Sequence, residues 1–459
     1  MKTPSEVLSK FVSQLTYKKI PGNVVKGAKF LFLDFLGCVL GGINTMEAET
    51  VRKALMQIDC SGEATIWGVG TKASMMSAAI ANATAGEGRD FTSGPMATAE
   101  TNIIPAATAV AEKERLDGKI FITSIVAGVE VQGRVLSSIN SQVVNEHGFY
   151  HGAVVGPFGA TTAVGKILGL NEKKMKNALG IAGSLAGGLL GWITEGIRMK
   201  AIQMGCKGAE SIIACYLAKQ GFPGPAHVIE ADYGGLLRSF SGPDFDTSMA
   251  TNKLGEVWLT NLVPFKPYPC CRWTHPYIDC IFKIIGRNGF SPDDITAITA
   301  YGIEEAEKNV MKIFEPKTVM EANFSLPFVI AATLVDKKVT FAQFTKDKWN
   351  DGKIREIAKK VKFIRVPKME KKRHYAVHLP FILPGGLVIK TKDGKEFSAE
   401  VEHPKGMPEN PMTDDELIRK FYMQACMVLP RNRADKIISN VMNVDKVTNI
   451  GSIVKLLNV

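Results

Sequence analysis

Apolar residues recur at helical spacing through roughly the first 260 residues of the chain. In the segment 24–42, Leu31, Phe32, Phe35 and Leu36 lie three or four positions apart, and two glycines close the pattern. This spacing places apolar side chains on one face of a helix, and glycine is typical of a helix end. Similar segments rich in Ala and Gly follow, and small residues let helix axes approach closely. We therefore predict a large, tightly packed helical body.

The pattern changes after Lys266. Short β-prone stretches occur at 293–303 and 359–366, with a helical pattern between them. The segment 386–403, GLVIKTKDGKEFSAEVEH, alternates apolar and polar residues on both sides of an Asp-Gly pair, which is typical of a hairpin turn. Strands among helices indicate a smaller α/β domain.

The last part of the chain returns to a helical pattern. Thr413 is a predicted N-cap, and Glu416 completes a capping box three residues later. We expect this tail to pack back on the first helical body. We predict a fold that is mainly α with an α+β part: a large all-helical domain from residues 1–264 and 400–459, and a smaller α/β domain from 265–399 inserted between them.

Composition indicates a soluble globular protein, with 46% hydrophobic and 22% charged residues. The N-terminus lacks the apolar core of a secretory signal. The two most apolar runs are interrupted by Asp34 and Glu195, so neither is a good membrane span. We expect a cytoplasmic protein without a membrane partner.

The net charge of +11 does not by itself indicate nucleic-acid binding. Basic residues are spread along the chain, and the densest run, 368–374, is short and interrupted by Glu370. A nucleic-acid binder would gather its positive charge on one face or tail. We expect no nucleic-acid partner, although a positive balance can help to gather small anionic substrates.

The decapeptide KPYPCCRWTH, Lys266–His275, has the highest density of reactive side chains. A metal site is not favoured, because the chain has no C-x-x-C or H-x-x-x-H pair and adjacent cysteines seldom bind one metal. A disulfide framework is not favoured either, since a chain of this length builds its own cores. Prolines at 267 and 269 restrict the backbone and would hold Lys266 in place. We interpret the segment as an acid–base loop.

Three further stretches concentrate candidate chemistry. The segment 86–94 places Asp90 between glycines at a helix end, and 145–160 places Tyr150 and His151 before a glycine-rich helix start. The segment 195–211 contains an arginine and two lysines: Arg198, Lys200 and Lys207.

In these motifs and others, the chain resembles the MmgE/PrpD family, which contains 2-methylcitrate dehydratase, cis-aconitate decarboxylase and iminodisuccinate epimerase. The resemblance runs along nearly the whole chain in six ordered segments: LFLDFLGCVLGG, GFYHGAVVGPFGATTAVGKILGL, KGAESIIACYLAKQGFPGP, KPYPCCRWTH, EANFSLPF and KGMPENPMTDDELIRKF. It implies the two-domain fold given above, mainly α with the smaller domain as an α+β lid, and an active site in the cleft between the domains. It also implies a homodimer, small polycarboxylate substrates, and no metal or organic cofactor.

The resemblance also implies site residues by their motif positions. The expected catalytic residues are Asp90, Tyr150, His151, Lys200, Lys266 and His275. The expected substrate-binding residues are Arg198, Gln203, Cys271 and Arg272. Tyr150 and His151 are alternatives for one family histidine, depending on a gap.

Several family positions are changed in this sequence, and most of the changes remove a histidine or an acidic residue. The changed positions are Glu87, Thr92, Ser93, Thr98 or Glu100, Gln203, Cys271, Asn323 and Phe328. These changes argue against cis-aconitate decarboxylase and weaken 2-methylcitrate dehydratase. They favour a branch with an altered substrate or reaction.

The chemistry shared by the family is proton transfer at a carbon next to a carboxylate. Such a carbon acid is weak, so the site must supply a base and positive groups for the developing charge. Burial and cationic neighbours can lower the pKa of a lysine, so that Lys200 or Lys266 could be a free amine while the other stays charged. We expect a carbon–oxygen lyase similar to 2-methylcitrate dehydratase. The alternatives are an epimerase of the iminodisuccinate type and a catalytically decayed scaffold that binds carboxylates.

Overall fold

The computed structural model of the chain describes residues 2–59, 61–93, 98–287, 289–370 and 383–459. The described residues divide into two compact units. The first contains those within Met1–Val263 and Thr413–Val459, and the second contains those of 264–370 and 383–412.

The first unit is helical apart from one small hairpin. Its helices before the second unit are α1 (Pro4–Gln14), α2 (Gly22–Gly42), α3 (Met46–Ile58), α4 (Met75–Glu87), α5 (Ala99–Lys113), α6 (Gly118–Ser138), α7 (Ser141–Glu146), α8 (His151–Ile167), α9 (Glu172–Ser184), α10 (Met199–Lys219) and α11 (Leu236–Ser241). Strands β1 (Ala64–Thr65) and β2 (Lys72–Ala73) pair antiparallel between α3 and α4.

Helix α8 lies at the centre of the first unit. It packs against α5, α6, α9 and α10, and α4 packs against α2, α5 and α10. Small residues bring some of these helices into backbone contact. A Cβ atom at Gly42, near the end of α2, would overlap the carbonyl oxygen of Ala85 in α4.

The second unit combines helices with one four-stranded sheet. Its helices are α12 (His275–Arg287), α13 (Glu304–Val310), α14 (Val319–Asn323), α15 (Leu326–Asp336), α16 (Lys346–Trp349), α17 (Gly352–Lys359) and α18 (Pro367–Glu370). Its strands are β3 (Ile295–Gly302), β4 (Val361–Arg365), β5 (Gly385–Thr391) and β6 (Glu396–Val401).

The sheet has the order β4–β3–β5–β6. Strand β4 pairs parallel with β3, which requires the long helical crossover between them, and the other pairs are antiparallel. Helix α12 packs on β5 and β6, with Ile281 and Ile284 buried together with Leu387 and Ile389 in one core.

Three more helices follow the second unit and belong to the first: α19 (Asp414–Ala425), α20 (Arg431–Met442) and α21 (Gly451–Val454). Helix α19 packs on α2 and α20. The Nζ atom of Lys420 in α19 lies 2.7 Å from Oδ1 of Asp34 in α2, and both side chains are 2% exposed. The same ammonium donates to the carbonyl oxygen of Phe91 at 2.9 Å and lies 4.2 Å from the centre of that ring.

The predicted fold class is confirmed, including the helical tail after residue 413 and the strands around Asp393–Gly394. One boundary differs from the prediction, because the second unit continues past residue 399 to Met412. Within that unit, Phe265 donates from its backbone N to the carbonyl of Gly406 at 3.0 Å, and Lys405 donates from its backbone N to the Asp279 carboxylate at 2.6 Å. These contacts attach the segment after β6 to the second unit.

One helix among the described residues, α6, is long and apolar enough to cross a membrane by composition. It is 83% buried over its apolar window, which is the environment of a core helix in a globular protein. The sequence patterns singled out two other runs and did not mark this one.

Candidate functional site

The ends of four helices meet in the first unit. Helix α4 ends at Glu87, and α5, α8 and α10 begin nearby with Ala99, His151 and Met199. Helix N-termini carry partial positive charge, so three of these ends favour negative charge at this place. The residues around them form what we call the first-unit cluster: Glu87, Asp90, Thr92, Ser93, Thr98, Glu100, Thr101, Tyr150, His151 and Lys200.

The backbone is strained at two positions of the cluster. Asp90 and Thr98 both have φ near +50°, the left-handed region that residues other than glycine seldom adopt. Such conformations persist where surrounding contacts hold them and are frequent at functional sites. The backbone N of Asp90 donates to the carbonyl of Glu87 at 3.1 Å, and Thr98 is the N-cap of α5.

An ion pair between Glu87 and Lys200 lies at the centre of the cluster. The Nζ atom of Lys200 is 2.9 Å from Oε2 of Glu87, whose side chain is 3% exposed. The other carboxylate oxygen, Oε1, accepts hydrogen bonds from the hydroxyls of Thr92 at 2.8 Å and Thr101 at 2.7 Å. Glu87 is therefore fixed on both oxygens.

The environment of Lys200 favours the charged one of the two roles expected for the lysines. Burial alone would lower the pKa of Lys200, but the Glu87 carboxylate, the Tyr150 phenol and the Asp90 carboxylate outweigh burial and raise it above its ordinary value. Lys200 is thus an ammonium cation in this structure. It can stabilise negative charge, and it is not a general base while Glu87 faces it.

A second buried carboxyl group lies beside the first. Glu100 in the first turn of α5 is 1% exposed, and Oε1 accepts from the backbone N of Ser93 at 2.6 Å. Its other oxygen, Oε2, has no hydrogen-bond partner within the part of the chain that the structure describes. Burial raises the pKa of Glu100, and the nearby Glu87 carboxylate contributes in the same direction.

Tyr150 and His151 both lie in the cluster, so the structure does not require a choice between them. The Tyr150 hydroxyl is 3.3 Å from the Thr98 hydroxyl, and its ring packs edge-on against Trp192. Burial raises the pKa of Tyr150, while the charge of Lys200 opposes this shift. The phenol is therefore protonated at neutral pH.

His151 is a neutral imidazole at neutral pH. Burial, followed by the positive charge of Lys200, lowers the pKa of His151 to about 4. Its Nδ1 atom lies 3.0 Å from Oδ1 of Asn145, which is an acceptor, so Nδ1 carries the proton. Nε2 is then the basic nitrogen of this ring.

Two expected substrate-binding residues of the first unit contact other side chains. The guanidinium of Arg198 lies 3.4 Å from the carboxylate of Glu47. The amide of Gln203 accepts from Nε1 of Trp192 at 3.2 Å and donates to the carbonyl of Leu189 at 2.8 Å. Gln203 therefore stabilises the segment before α10 with both its amide oxygen and its amide nitrogen.

The acid–base loop predicted at 266–275 belongs to the second unit, and most of its residues are buried. Lys266 is 4% exposed. The backbone around it is held by Asn323, which donates from Nδ2 to the carbonyl of Pro269 at 2.7 Å and accepts with its own backbone carbonyl from the backbone N of Cys271 at 3.0 Å. These two hydrogen bonds join the loop to the end of α14.

Three other expected site residues of this loop have structural contacts. Nε2 of His275 lies 3.3 Å from the carbonyl oxygen of Cys270, and its ring packs edge-on against Tyr268. Arg272 donates to the carbonyl of Pro264 at 3.1 Å. Cys271 is buried, and its sulfur forms no disulfide. These contacts of His275 and Arg272 contribute to the fold of the loop.

The described residues contain no group of three or more His, Cys, Asp or Glu side chains arranged to hold a metal ion. The four helix ends instead bring together carboxyl groups, a phenol, an imidazole and an ammonium. Such a set can accept protons, donate them and stabilise negative charge.

Comparison with known families agrees with this two-unit architecture. Residues 6–248 match the sequence model of the MmgE/PrpD N-terminal domain, and residues 268–445 match that of the MmgE/PrpD C-terminal domain. The chain belongs to the MmgE/PrpD family. The resemblance inferred from the sequence motifs is thereby confirmed.

Curated relatives of this MmgE/PrpD protein include cis-aconitate decarboxylases. The protein from Aspergillus terreus is 26% identical over 470 residues, covering 98% of this chain and 94% of the relative. The human protein is 26% identical over 477 residues, covering 100% and 95%, and the mouse protein is 23% identical over 478 residues, covering 100% and 94%. These relatives are carbon–carbon lyases by name.

Sequence reasoning missed two acidic residues of this MmgE/PrpD protein's cluster. Glu87 and Glu100 were noted as departures from the family motifs and were not named as site residues. The sequence did contain a signal for them: in both cases a glutamate stands at or near a position where the family motif has a histidine. A glutamate can still carry charge and transfer protons. What the sequence could not supply was the contact between Glu87 and Lys200.

Proposed function

We propose that this protein is a lyase that acts on a small carboxylic acid by proton transfer at the carbon next to a carboxylate. The family and the decarboxylase relatives support lyase-type chemistry on carboxylates. The observation that carries the proposal is the first-unit cluster, where a neutral imidazole, a protonated phenol and a fixed ammonium lie together.

Each member of the cluster suits one part of this chemistry. Nε2 of the neutral His151 can accept a proton, because its partner nitrogen already holds one. The Lys200 cation, although paired with Glu87, can offset part of the negative charge that develops at the reacting carbon in a partly buried site. Tyr150 can carry a proton to or from the reacting centre.

The first candidate reaction is loss of water from a hydroxy acid of the 2-methylcitrate type. A hydroxyl group leaves readily only when an acid protonates it. Tyr150 keeps its proton at neutral pH, and burial favours the protonated form of Glu100. A base and an acid within one cluster favour elimination of water.

The second candidate is decarboxylation of an acid such as cis-aconitate. It is favoured by relatives whose names state this activity and that align along nearly the whole chain. The same cluster would serve it, because the carbanion left after loss of carbon dioxide must also be protonated. The changed histidine positions argue against this candidate more strongly than they weaken the first.

The test is incubation in heavy water with 2-methylcitrate, citrate, cis-aconitate and aspartate-type imino acids. Proton NMR would follow deuterium exchange at the carbon next to the carboxylate, and carbon dioxide release would be measured in parallel. We expect exchange with at least one hydroxy acid, and loss of exchange in His151→Asn.

The matched control is His227→Asn. His227 is 51% exposed and pairs with Glu230 at 3.1 Å on the surface of the same unit. Its replacement should leave exchange unchanged. Release of carbon dioxide without water loss would favour decarboxylation, and inversion without either would favour the epimerase. No exchange with any acid would contradict the proposal and favour a carboxylate-binding scaffold.

A further inference from the structure

We propose that Glu87 determines which acids the first-unit cluster accepts. By occupying Lys200, Glu87 disfavours a substrate carboxylate at this place and favours a hydrogen-bond donor such as a hydroxyl or amino group. The inference rests on the proposed function in taking the ligand to be a small carboxylic acid. It makes Glu87 a specificity-determining residue for one substituent of that acid.

The first support is that Glu87 cannot easily leave Lys200. One of its oxygens is 2.9 Å from the ammonium, and the other accepts from the hydroxyls of Thr92 and Thr101. Rotation away from Lys200 would break two further hydrogen bonds of a side chain that is 3% exposed. An incoming carboxylate would therefore meet a fixed negative group beside the cation.

The second support is the balance of charge around Lys200. The Asp90 carboxylate also interacts electrostatically with this ammonium, so two carboxylates act on one cation. Glu100 adds a third carboxyl group beside Glu87, and it adds no positive charge in either protonation state. The nearby Arg198 pairs with Glu47, and Arg89 donates to the carbonyl of Gly41.

The third support is that helix stability does not explain Glu87. It is the last residue of α4, and the C-terminal end of a helix carries partial negative charge that disfavours a glutamate. Its position is therefore better accounted for by its partner Lys200 than by its own helix.

These features select between ligands by repulsion as well as attraction. A third carboxylate placed beside Glu87 and Asp90 would meet like charges, and like charges brought together at an interface disfavour the wrong partner. A hydroxyl or amino group in the same place could donate to either carboxylate. Specificity through such unfavourable contacts with the wrong ligand is common in binding sites.

The experiment uses three acids with one carbon skeleton, bound to the full chain and measured by calorimetry. Glutarate, 3-hydroxyglutarate and propane-1,2,3-tricarboxylate carry a hydrogen, a hydroxyl and a carboxylate on the central carbon. For the wild type, we expect the hydroxyl acid to bind most tightly and the tricarboxylate to bind no more tightly than glutarate.

The key variant is Glu87→Gln, which keeps the size of the side chain and removes its charge. We expect the affinity for the tricarboxylate to rise at least about tenfold relative to glutarate, because Lys200 becomes available to it. The matched control is Glu63→Gln. Glu63 forms a more exposed ion pair in the same unit, 2.7 Å from Lys113, so it reports the effect of one lost charge on the whole molecule.

The proposal is overturned if the wild type binds the tricarboxylate more tightly than the hydroxyl acid. It is also overturned if both glutamine variants change the affinities equally. If Glu87→Gln does not fold, the wild-type order decides alone. Proton NMR would show whether the hydroxyl acid is turned over, which tests the proposed function separately. If the affinities follow the expected order but no lyase activity is found with any acid, the proposed function is refuted and the role of Glu87 stands.

Discussion

Neighbouring carboxyl groups in the first-unit cluster have different surroundings. Glu87 faces the Lys200 ammonium and accepts from two hydroxyls, whereas Glu100 is buried with one oxygen unpartnered among the described residues. Burial and the charge of Glu87 both raise the pKa of Glu100, which favours its protonated form. Pairs of this kind separate the roles of acid and base within one site.

Glu100 should make the protein less stable as pH rises. Its folded pKa lies above the ordinary value of 4.5, so above that pH the unfolded chain loses this proton before the folded protein does. The free energy of unfolding should then fall by up to about 1.4 kcal/mol per pH unit until Glu100 ionises in the folded state.

Urea unfolding of wild type and Glu100→Gln at several pH values would measure this effect. The variant should gain stability relative to wild type as pH increases, since glutamine cannot ionise. Glu210→Gln, which removes a partly exposed carboxyl group from the same unit, controls for the loss of one glutamate. A pH-independent difference between wild type and Glu100→Gln would contradict the raised pKa.

His151 should titrate near pH 4 rather than near 6.5, because burial and Lys200 lower its pKa. Replacing Lys200 by Met removes one of these causes, so the pKa of His151 should rise in Lys200→Met. NMR titration of the imidazole signals would measure this shift without relying on turnover. Lys113→Met, which removes a lysine from a surface ion pair of the same unit, should leave it unchanged.

The sequence indicated which residues lie together in the first-unit cluster, but it did not indicate their protonation states. Motifs pointed to Asp90, Tyr150, His151 and Lys200, and the structure brings all four into one cluster. The protonation state of Lys200 was not predictable, because it depends on Glu87, which lies far away in the sequence. Motif resemblance aligns residues one by one, whereas a pKa depends on partners in space.

At the scale of elements, close helix contacts depend on single glycines. Gly42 in α2 faces the carbonyl oxygen of Ala85 in α4, and there is no room for a Cβ atom. We expect Gly42→Ala to lower the free energy of unfolding by about 2 to 3 kcal/mol, because backbone must move to relieve the overlap.

The control lies at the other end of the same helix. A Cβ atom at Gly22 would have no other atom within 4 Å, and the φ of this residue is not in the left-handed region. Gly22→Ala should therefore be neutral or stabilise by up to about 1 kcal/mol. Chemical denaturation of both variants would measure the difference, and equal effects would contradict the close approach of α2 and α4.

Elements with strong local signals were predicted, and those that depend on tertiary contacts were not. The capping box of Thr413 and Glu416 and the Asp393–Gly394 turn are present as predicted, because both are set by residues adjacent in sequence. The helical pattern predicted between the two β-prone stretches is divided after α14, since the Ser325 hydroxyl caps α15 by accepting from the backbone N of Phe328 at 3.1 Å. Strands β1 and β2 have two residues each, which is too short for an alternation of apolar and polar residues to be recognised in the sequence.

At the scale of the whole molecule, the first unit is assembled from both ends of the chain. Helix α19 joins α2 through Asp34 and Lys420, which are buried, and through Lys26 and Asp414, which are exposed. Breaking the buried pair leaves an uncompensated charge. Asp34→Asn or Lys420→Met should therefore cost about 3 to 5 kcal/mol.

The double variant Asp34→Asn/Lys420→Met should cost less than the sum of the two single changes, because neither charge remains. The surface pair joins the same two helices over 2.6 Å and is more than half exposed, so Lys26→Met should cost at most about 1 kcal/mol. A double-mutant cycle by chemical denaturation would measure both couplings. Equal coupling energies in the buried and the surface pair would contradict this prediction.

The two-part organisation could be predicted because composition changes abruptly near residue 265. The end of the second unit could not be placed from the pattern, since the segment 400–412 has few apolar residues and is held by backbone hydrogen bonds to Phe265 and Asp279. The homodimer and the cytoplasmic location stay predictions, to be checked by light scattering and by cell fractionation.

The second unit is inserted in the sequence of the first, so the two parts of the first unit are synthesised at different times. A ribosome releases residues up to Val263, then the whole second unit, and only afterwards the helices after Thr413 that cover α2. At about 5 to 20 residues per second, the nascent chain waits on the order of 10 to 40 s for that cover. During this interval the apolar face of α2 and the carboxylate of Asp34 lack their partners from α19, so chaperone binding to the growing polypeptide should be strongest there.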